Sequence, residues 1–314
     1  LLKPTLIGIF LFYILYALLV PASAHAAAIT IGTAANYGLV VGAGQTLDIN
    51  GGVGVTGNIG IGANSNFALS GINLVSGAIY QDSGVTTTNA SITLVSGGTI
   101  TQSMSGVISG ALSASNAAAA LTPTAGLVGQ GTALSISGSS VTIKALSNLS
   151  ENVLTISSLS LLNGMLTFDD NGYTGAKFIV NVVGGFSVGS IGTGKSVIQG
   201  INGASASDIL FNIEGTGSTV SVTGNSSNAL IGTILAPSRN ITIGGGGTLS
   251  GDLIAGVNNL GKSYTVSTGS GGFNISQMAY QPSTMIKTPE PSTLALFGTS
   301  VAFCGLLRRK RRHL

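Results

Sequence analysis

Charge is scarce in this chain. Asp, Glu, Lys and Arg make up 7% of 314 residues, aromatics 5%, tryptophan is absent, and there are one cysteine and two histidines. Each shortage excludes a class of chemistry. Cys304 lies inside a C-terminal apolar run, so the rest of the chain has no disulfide and no thiol chemistry. His25 and His313 sit at the two ends, which leaves the region between them without Ser-His-Asp or Cys-His catalysis and without the usual zinc or copper ligands. No cofactor and no metal site is expected. Tyr and Phe are scattered, so the sequence displays no platform for stacking sugars.

The cations that exist are concentrated at the ends. Lys3 and the five at Arg308, Arg309, Lys310, Arg311 and Arg312 account for six of the 12 Lys+Arg, and Glu290 for one of the nine acids. That leaves six cations against eight acids, a net charge of about −2 over the rest of the chain, with no basic patch to neutralise phosphates. Nucleic acid is not an expected partner.

Both ends read as export signals. Lys3 precedes the apolar run Leu6–Val20, and Ala24-His25-Ala26 offers a small-x-small cleavage site, which predicts a signal peptide over 1–26. The competing reading is an uncleaved anchor, but fifteen apolar residues fall short of the roughly 20 that a spanning helix needs. At the other end, Pro289, Glu290 and Pro291 resist regular helix, Leu294–Leu307 is uncharged and apolar, and Arg308–Arg312 closes it with cations.

That order resembles a PEP-CTERM sorting signal, over 289–314. The resemblance implies recognition of Pro289-Glu290-Pro291 by an exosortase, a membrane protease-transpeptidase, and delivery to the cell surface or extracellular matrix. The fourteen residues Leu294–Leu307 would span about 21 Å as a helix against a hydrocarbon core of about 30 Å. Such a sorting helix suits transient membrane insertion better than permanent anchoring.

Between the ends, what is abundant is glycine, 48 residues of it, with Ser, Thr and Asn. Over 27–275 short alternating stretches recur, such as Ser91-Ile92-Thr93-Leu94-Val95, Ser135-Ile136-Ser137, Val220-Ser221-Val222-Thr223 and Asn240-Ile241-Thr242-Ile243. Period two with one apolar face predicts strands, and the intervening glycines supply turns. Closely spaced short strands predict an all-β, right-handed β-solenoid in which each coil stacks on its neighbour and buries a thin Ile/Val/Leu column. A β-sandwich uses the same alternation but wants bulkier side chains between its sheets. Ala111–Leu121 predicts one short flanking helix, and 276–288 a flexible linker.

Ile31-Gly-Thr-Ala-Ala-Asn-Tyr-Gly-Leu-Val-Val-Gly42 and Val55-Thr-Gly-Asn-Ile-Gly-Ile-Gly62 resemble the start of ice-binding-like and choice-of-anchor β-helix domains. Ile209-Leu-Phe-Asn-Ile213, Gly232-Thr-Ile-Leu-Ala-Pro237 and Gly251-Asp-Leu-Ile-Ala-Gly256 continue the likeness, which covers most of 29–275. It implies a β-helix used by adhesins, matrix proteins and ice binders alike. No strict Thr-x-Thr series at constant coil length is present, although members of the family bind ice through irregular faces.

Two motifs compete for a catalytic reading. Gly189-Ser-Ile-Gly-Thr-Gly194-Lys195-Ser196 fits the phosphate-loop letters, yet Ser196–Gly203 is β-branched and broken by glycine, where the mechanism needs a helix. Asp169, Asp170, Asp208 and Glu214 are candidate carboxylates for polysaccharide cleavage, but nothing in the sequence pairs them. Asp169-Asp170-Asn171-Gly172 reads as a turn with Asx hydrogen bonds, with a loose Ca²⁺ site as the lesser reading. Sequons at Asn89, Asn148, Asn225, Asn240 and Asn274 follow from composition. The sequence therefore predicts a non-enzymatic exported surface or matrix protein that associates with exopolysaccharide. An ice-binding protein on the same fold is the alternative, and a polysaccharide-active enzyme a distant third.

Overall fold

The structure is a computed structural model that describes residues 29–50, 52–70, 73–88, 92–94, 96–147, 151–224, 227–258, 265–268 and 272–282. The signal-peptide residues Ala24 and Ala26, the Pro289-Glu290-Pro291 motif, the apolar run after it and Arg308–Arg312 lie outside these residues. Among the described residues no helix is long and apolar enough to cross a membrane.

Alternating sequence becomes strand because apolar residues at every second position share one face. The strand Ala133–Ser137 shows this directly: Leu134 and Ile136 are buried, while Ala133, Ser135 and Ser137 are exposed. Consecutive strands do not pair with each other. Each enters a different one of three parallel sheets of nine strands, A, B and C, and every third strand returns to the same sheet. The fold is thus β-helix-like, with one turn of chain contributing one strand to each sheet.

The order of stacking departs from the expectation that each coil rests on its sequence neighbour. The first coil, formed by Tyr37–Val41, Thr46–Asn50 and Gly54–Thr56, lies within the stack and not at its end. The chain winds outward from it to the edge strand Thr99–Thr101 of sheet A. It then forms α1 (Ser105–Ala119) and restarts at the opposite edges with Ala133–Ser137, Ser140–Lys144 and Asn152–Ile156. From there it winds back until the last coil pairs with the first: Leu253 with Leu39, Thr265 with Thr46, and Asn274 with Gly54.

Two apolar cores result. The interior core runs through all three sheets and includes Leu39, Leu47, Val55, Leu166 and Ile241. It is not the thin aliphatic column predicted. Phe168, Phe178, Phe186 and Phe211 join it toward the end of the stack that carries Ala133–Ser137, packed edge to face at centroid distances of 5.1, 5.9 and 5.6 Å. The second core lies between α1 and the outer face of sheet A, where Val107, Ala111, Ala114 and Ala118 cover Val40, Ile179, Leu210, Leu235 and Ile254.

The helix starts six residues before the expected Ala111, because Met104 and Val107 are drawn into this second core. The beginning of the stretch read as a flexible linker is also packed. Met278 N donates to Asp252, Tyr280 N to Thr233 Oγ1, and Gln281 N to Ser207 O, so residues 278–281 run as a strap across successive coils. Tyr280 is 1% exposed.

Candidate functional site

The three outer faces are unequal. Sheet A is covered in its middle by α1, with strands such as Phe178–Val182 and Ile209–Ile213 buried throughout. Sheet C presents side chains of uneven size, its register placing Met165 beside Val197, Val197 beside Ala229, and Gln199 beside Thr167.

Sheet B is different. Its register aligns Ser135, Ser160, Ser187, Ser221 and Thr242 on successive strands, followed by the position of Ser267, then Asp48, Ala68 and Thr88. A second row places Thr265, Thr46, Asn66 and Thr86 side by side at one end.

The residues on either side of the central row, such as Leu159 and Leu161, Val220 and Val222, or Ile241 and Ile243, point into the core. Ser135, Ser160, Ser187 and Thr88 are exposed, and Ser221, Thr242, Asp48 and Ala68 half-buried. With strands about 4.8 Å apart, nine strands form a row of small groups about 38 Å long. Each hydroxyl can donate once and accept twice, so the run from Ser135 to Thr242 offers a regular array of hydrogen bonds without any bulky side chain, and Asp48 and Ala68 break the series of hydroxyls farther along.

The sequence shows Ser or Thr at alternate positions of these strands. Their alignment into one row is invisible there, because it depends on pairings such as Ser187 with Ser221 and Asp48 with Ser267.

The candidate carboxylates do not form a cleavage pair. Asp169 accepts from Asn202 Nδ2 and from Asn171 N, both at 2.8 Å, and these two bonds hold its carboxyl below the usual range. This is the Asx turn that the sequence predicts, with Asn171 at φ 52°. Asp208 forms an ion pair with Lys177 through one oxygen, and its other oxygen accepts from Ser205 N at 2.8 Å. Asp170 is fully buried, and burial, with the Asp208 charge adding to it, pushes its carboxyl up to about 6. Glu214 stands after another strand, Ile209–Ile213, and burial raises it as well. Asp170 and Asp208 are therefore neighbours at one corner, but one is enclosed and the other committed to its cation and its turn. Neither can reach a polysaccharide chain.

The phosphate-loop letters fold without a phosphate cradle. Gly189 ends one strand, Lys195 is exposed beside a shallow cleft of about 350 Å³, and Ser196 turns inward to donate to Gly189 O. The strand Val197–Ile201 follows where a helix would be needed. Of the five sequons, Asn240 and Asn274 are exposed, while Asn89, Asn148 and Asn225 lie outside the described residues.

A family model described as an ice-binding-like adhesive domain matches residues 15–274. The chain belongs to that family. A second model, the PEP-CTERM protein-sorting motif, matches residues 287–312 and marks this ice-binding-like adhesive protein as exported.

Similar solved structures include an ice-binding protein from the Antarctic ascomycete Antarctomyces psychrotrophicus, at 16% identity over 80% of this chain and 99% of that one, with a TM-score of 0.54. One from an Antarctic biological consortium has 18% identity over 84% and 95%, with a TM-score of 0.52. An ice-binding protein domain from Shewanella frigidimarina has 16% identity over 81% and 98%, with a TM-score of 0.53. At these identities the likeness is one of fold. No curated protein matches the chain.

Proposed function

We propose that this ice-binding-like adhesive protein is a non-enzymatic matrix adhesin that docks exopolysaccharide on the outer face of sheet B. In this reading the body is a right-handed solenoid rod, the hand that parallel crossovers favour, and the rod reaches the cell surface or matrix after an exosortase processes the tail at Pro289-Glu290-Pro291. The observation that carries the reading is the row of small hydroxyls from Ser135 to Thr242, continued by Asp48 and Thr88. A hydrated polysaccharide exposes hydroxyls at close repeats, and a smooth ladder can exchange hydrogen bonds with many of them at once. Single bonds of this kind are each worth only about 1 kcal/mol, so retention depends on their number.

Ice binding on the same face is the second reading, supported by the family and by the regular strand spacing. Against it stands Asp48 in the middle of the row, whose charge would orient nearby water toward itself and disturb a lattice-like layer.

Retention of the exported protein on its own matrix polysaccharide, measured beside thermal hysteresis of the same preparation, separates the two. Saturable retention with no hysteresis is expected. Clear hysteresis without retention would move the assignment to ice.

A further inference from the structure

The fold closes a second cleft on a different side of the coil, from residues that the sequence keeps far apart. Asn36, Tyr37, Asn58, Tyr80, Gln102 and Gln277 line a cavity of about 510 Å³ at the part of sheet A that lies beyond the start of α1. Its size falls within the range of small-ligand sites, and none of its lining residues is charged.

Tyr37 and Tyr80 meet edge to face, with ring centroids 5.5 Å apart and planes at 85°. The sequence, in which Tyr and Phe are scattered, does not show this pairing. The tyrosines come together because Gly60 pairs with Tyr80 on the next strand, and because Gly60 has no side chain. A Cβ there would lie 3.1 Å from the Tyr37 ring and 2.5 Å from Met104 Cε.

The carboxamides around the rings are held in place. Gln102 Nε2 donates to Tyr37 Oη at 3.0 Å, and Asn58 Nδ2 to Asn36 O at 2.9 Å. Asn58 Oδ1 accepts from Ala78 N at 3.0 Å, and Gln277 Nε2 donates to Ala35 O at 2.9 Å. A carboxamide has two N–H donors and two acceptor lone pairs, so Asn58 and Gln277 each keep capacity beyond these bonds. Burial also raises the Tyr37 hydroxyl, which keeps it protonated and able to donate.

An uncharged cleft with aromatic rings and fixed carboxamides suits a ligand that has apolar C–H faces and many hydroxyls, and disfavours one that carries charge. We propose that this cleft is a binding subsite for one or two units of a neutral polysaccharide. The half-buried Tyr80 ring takes the C–H face of a pyranose, Tyr37 itself being buried, and the carboxamides take its hydroxyls. The site is separate from the sheet B face and does not depend on what that face binds. If both engage one matrix, attachment becomes bivalent and gains from effective concentration.

Calorimetric titration and saturation-transfer NMR of the full chain test the site. The probes are neutral tetrasaccharides of glucose, galactose and mannose, with tetrasaccharides of glucuronate and glucosamine as charged controls. At least one neutral sugar is expected to bind saturably. Tyr80→Ala should weaken that binding about tenfold, Tyr80→Phe should retain most of it, and Lys195→Ala, at an exposed position outside both the cleft and the sheet B row, should leave it unchanged. Gln102 is exposed, so Gln102→Ala tests the same cleft if Tyr80→Ala melts early; it should weaken binding about threefold. The proposal is overturned if no neutral sugar binds, if only charged sugars bind, if both cleft variants bind like the parent, or if Lys195→Ala removes the binding.

Discussion

Asp252 is fully buried on the outer side of sheet A. One of its oxygens accepts from Met278 N at 3.2 Å and the other has no hydrogen-bond partner among the described residues. Burial pushes its carboxyl up to about 8, from an ordinary value of 3.8. The folded chain therefore holds a proton that the unfolded chain releases. The stabilisation is complete below about pH 4 and is lost as pH rises toward about 8. Melting temperature should fall across that window, and Asp252→Asn should flatten the fall and melt above the parent at pH 8. Asp170, raised to about 6, contributes in the same direction and leaves a smaller slope in the variant. An unchanged slope in Asp252→Asn would contradict the assignment.

At this scale the sequence reveals what local spacing determines. The turn Asp169–Gly172 is legible because the bond that makes it, from Asn171 N to the Asp169 carboxylate, joins residues two apart. The burial of Asp252 under Met278 is not, nor is that of Arg239, whose guanidinium donates to the carbonyls of Val183, Glu214, Gly215 and Ser218. Such partners are chosen by coil register.

Among the elements, α1 shows how far composition can be trusted. Its alanine run favours helix, and alanine's small size lets the helix axis approach sheet A closely. The first turns contain Gly106 and Gly110, each costing about 1 kcal/mol relative to alanine, which is why the sequence places the start later. Packing of Met104 and Val107 on the sheet prevails over that cost.

The helix is also pinned by polar contacts that its own sequence does not announce. Ser115 donates to Asn212 Oδ1, Asn212 Nδ2 donates to Ser115 O and Asn181 Oδ1, and Asn181 Nδ2 donates to Ala118 O. Asn212→Ala strands several buried polar groups at once and should cost about 2–3 kcal/mol of stability in denaturant unfolding. A loss below about 0.5 kcal/mol would mean that the apolar contacts alone hold the helix.

For the whole molecule, the period-two pattern makes the strands and their buried faces legible, and nothing in it states that the first coil stacks on the last. That seam depends on Gly42, which donates its N–H to Ala255 O at 3.0 Å. A Cβ at Gly42 would lie 1.9 Å from Gly256 O. Gly42→Ala should therefore part the two halves of the coil and lower the melting temperature by several degrees, roughly 2–4 °C per kcal/mol for a body of this size. The same substitution at Gly98, which like Gly42 is not left-handed and where a Cβ meets nothing within 4 Å, controls for the loss of glycine alone.

The same seam makes the sheet B face continuous, since it sets Asp48, Ala68 and Thr88 in line with Ser135 to Thr242. The proposed adhesion runs through that face. The most direct measurement is retention of the exported protein on its matrix polysaccharide when Ser187, Ser221 and Thr242 are all replaced by Tyr. These side chains point outward, so circular dichroism and melting should stay close to the parent. Retention should fall about tenfold or more, because three rings break the ladder at its centre. Full retention by a correctly folded triple variant would contradict the account.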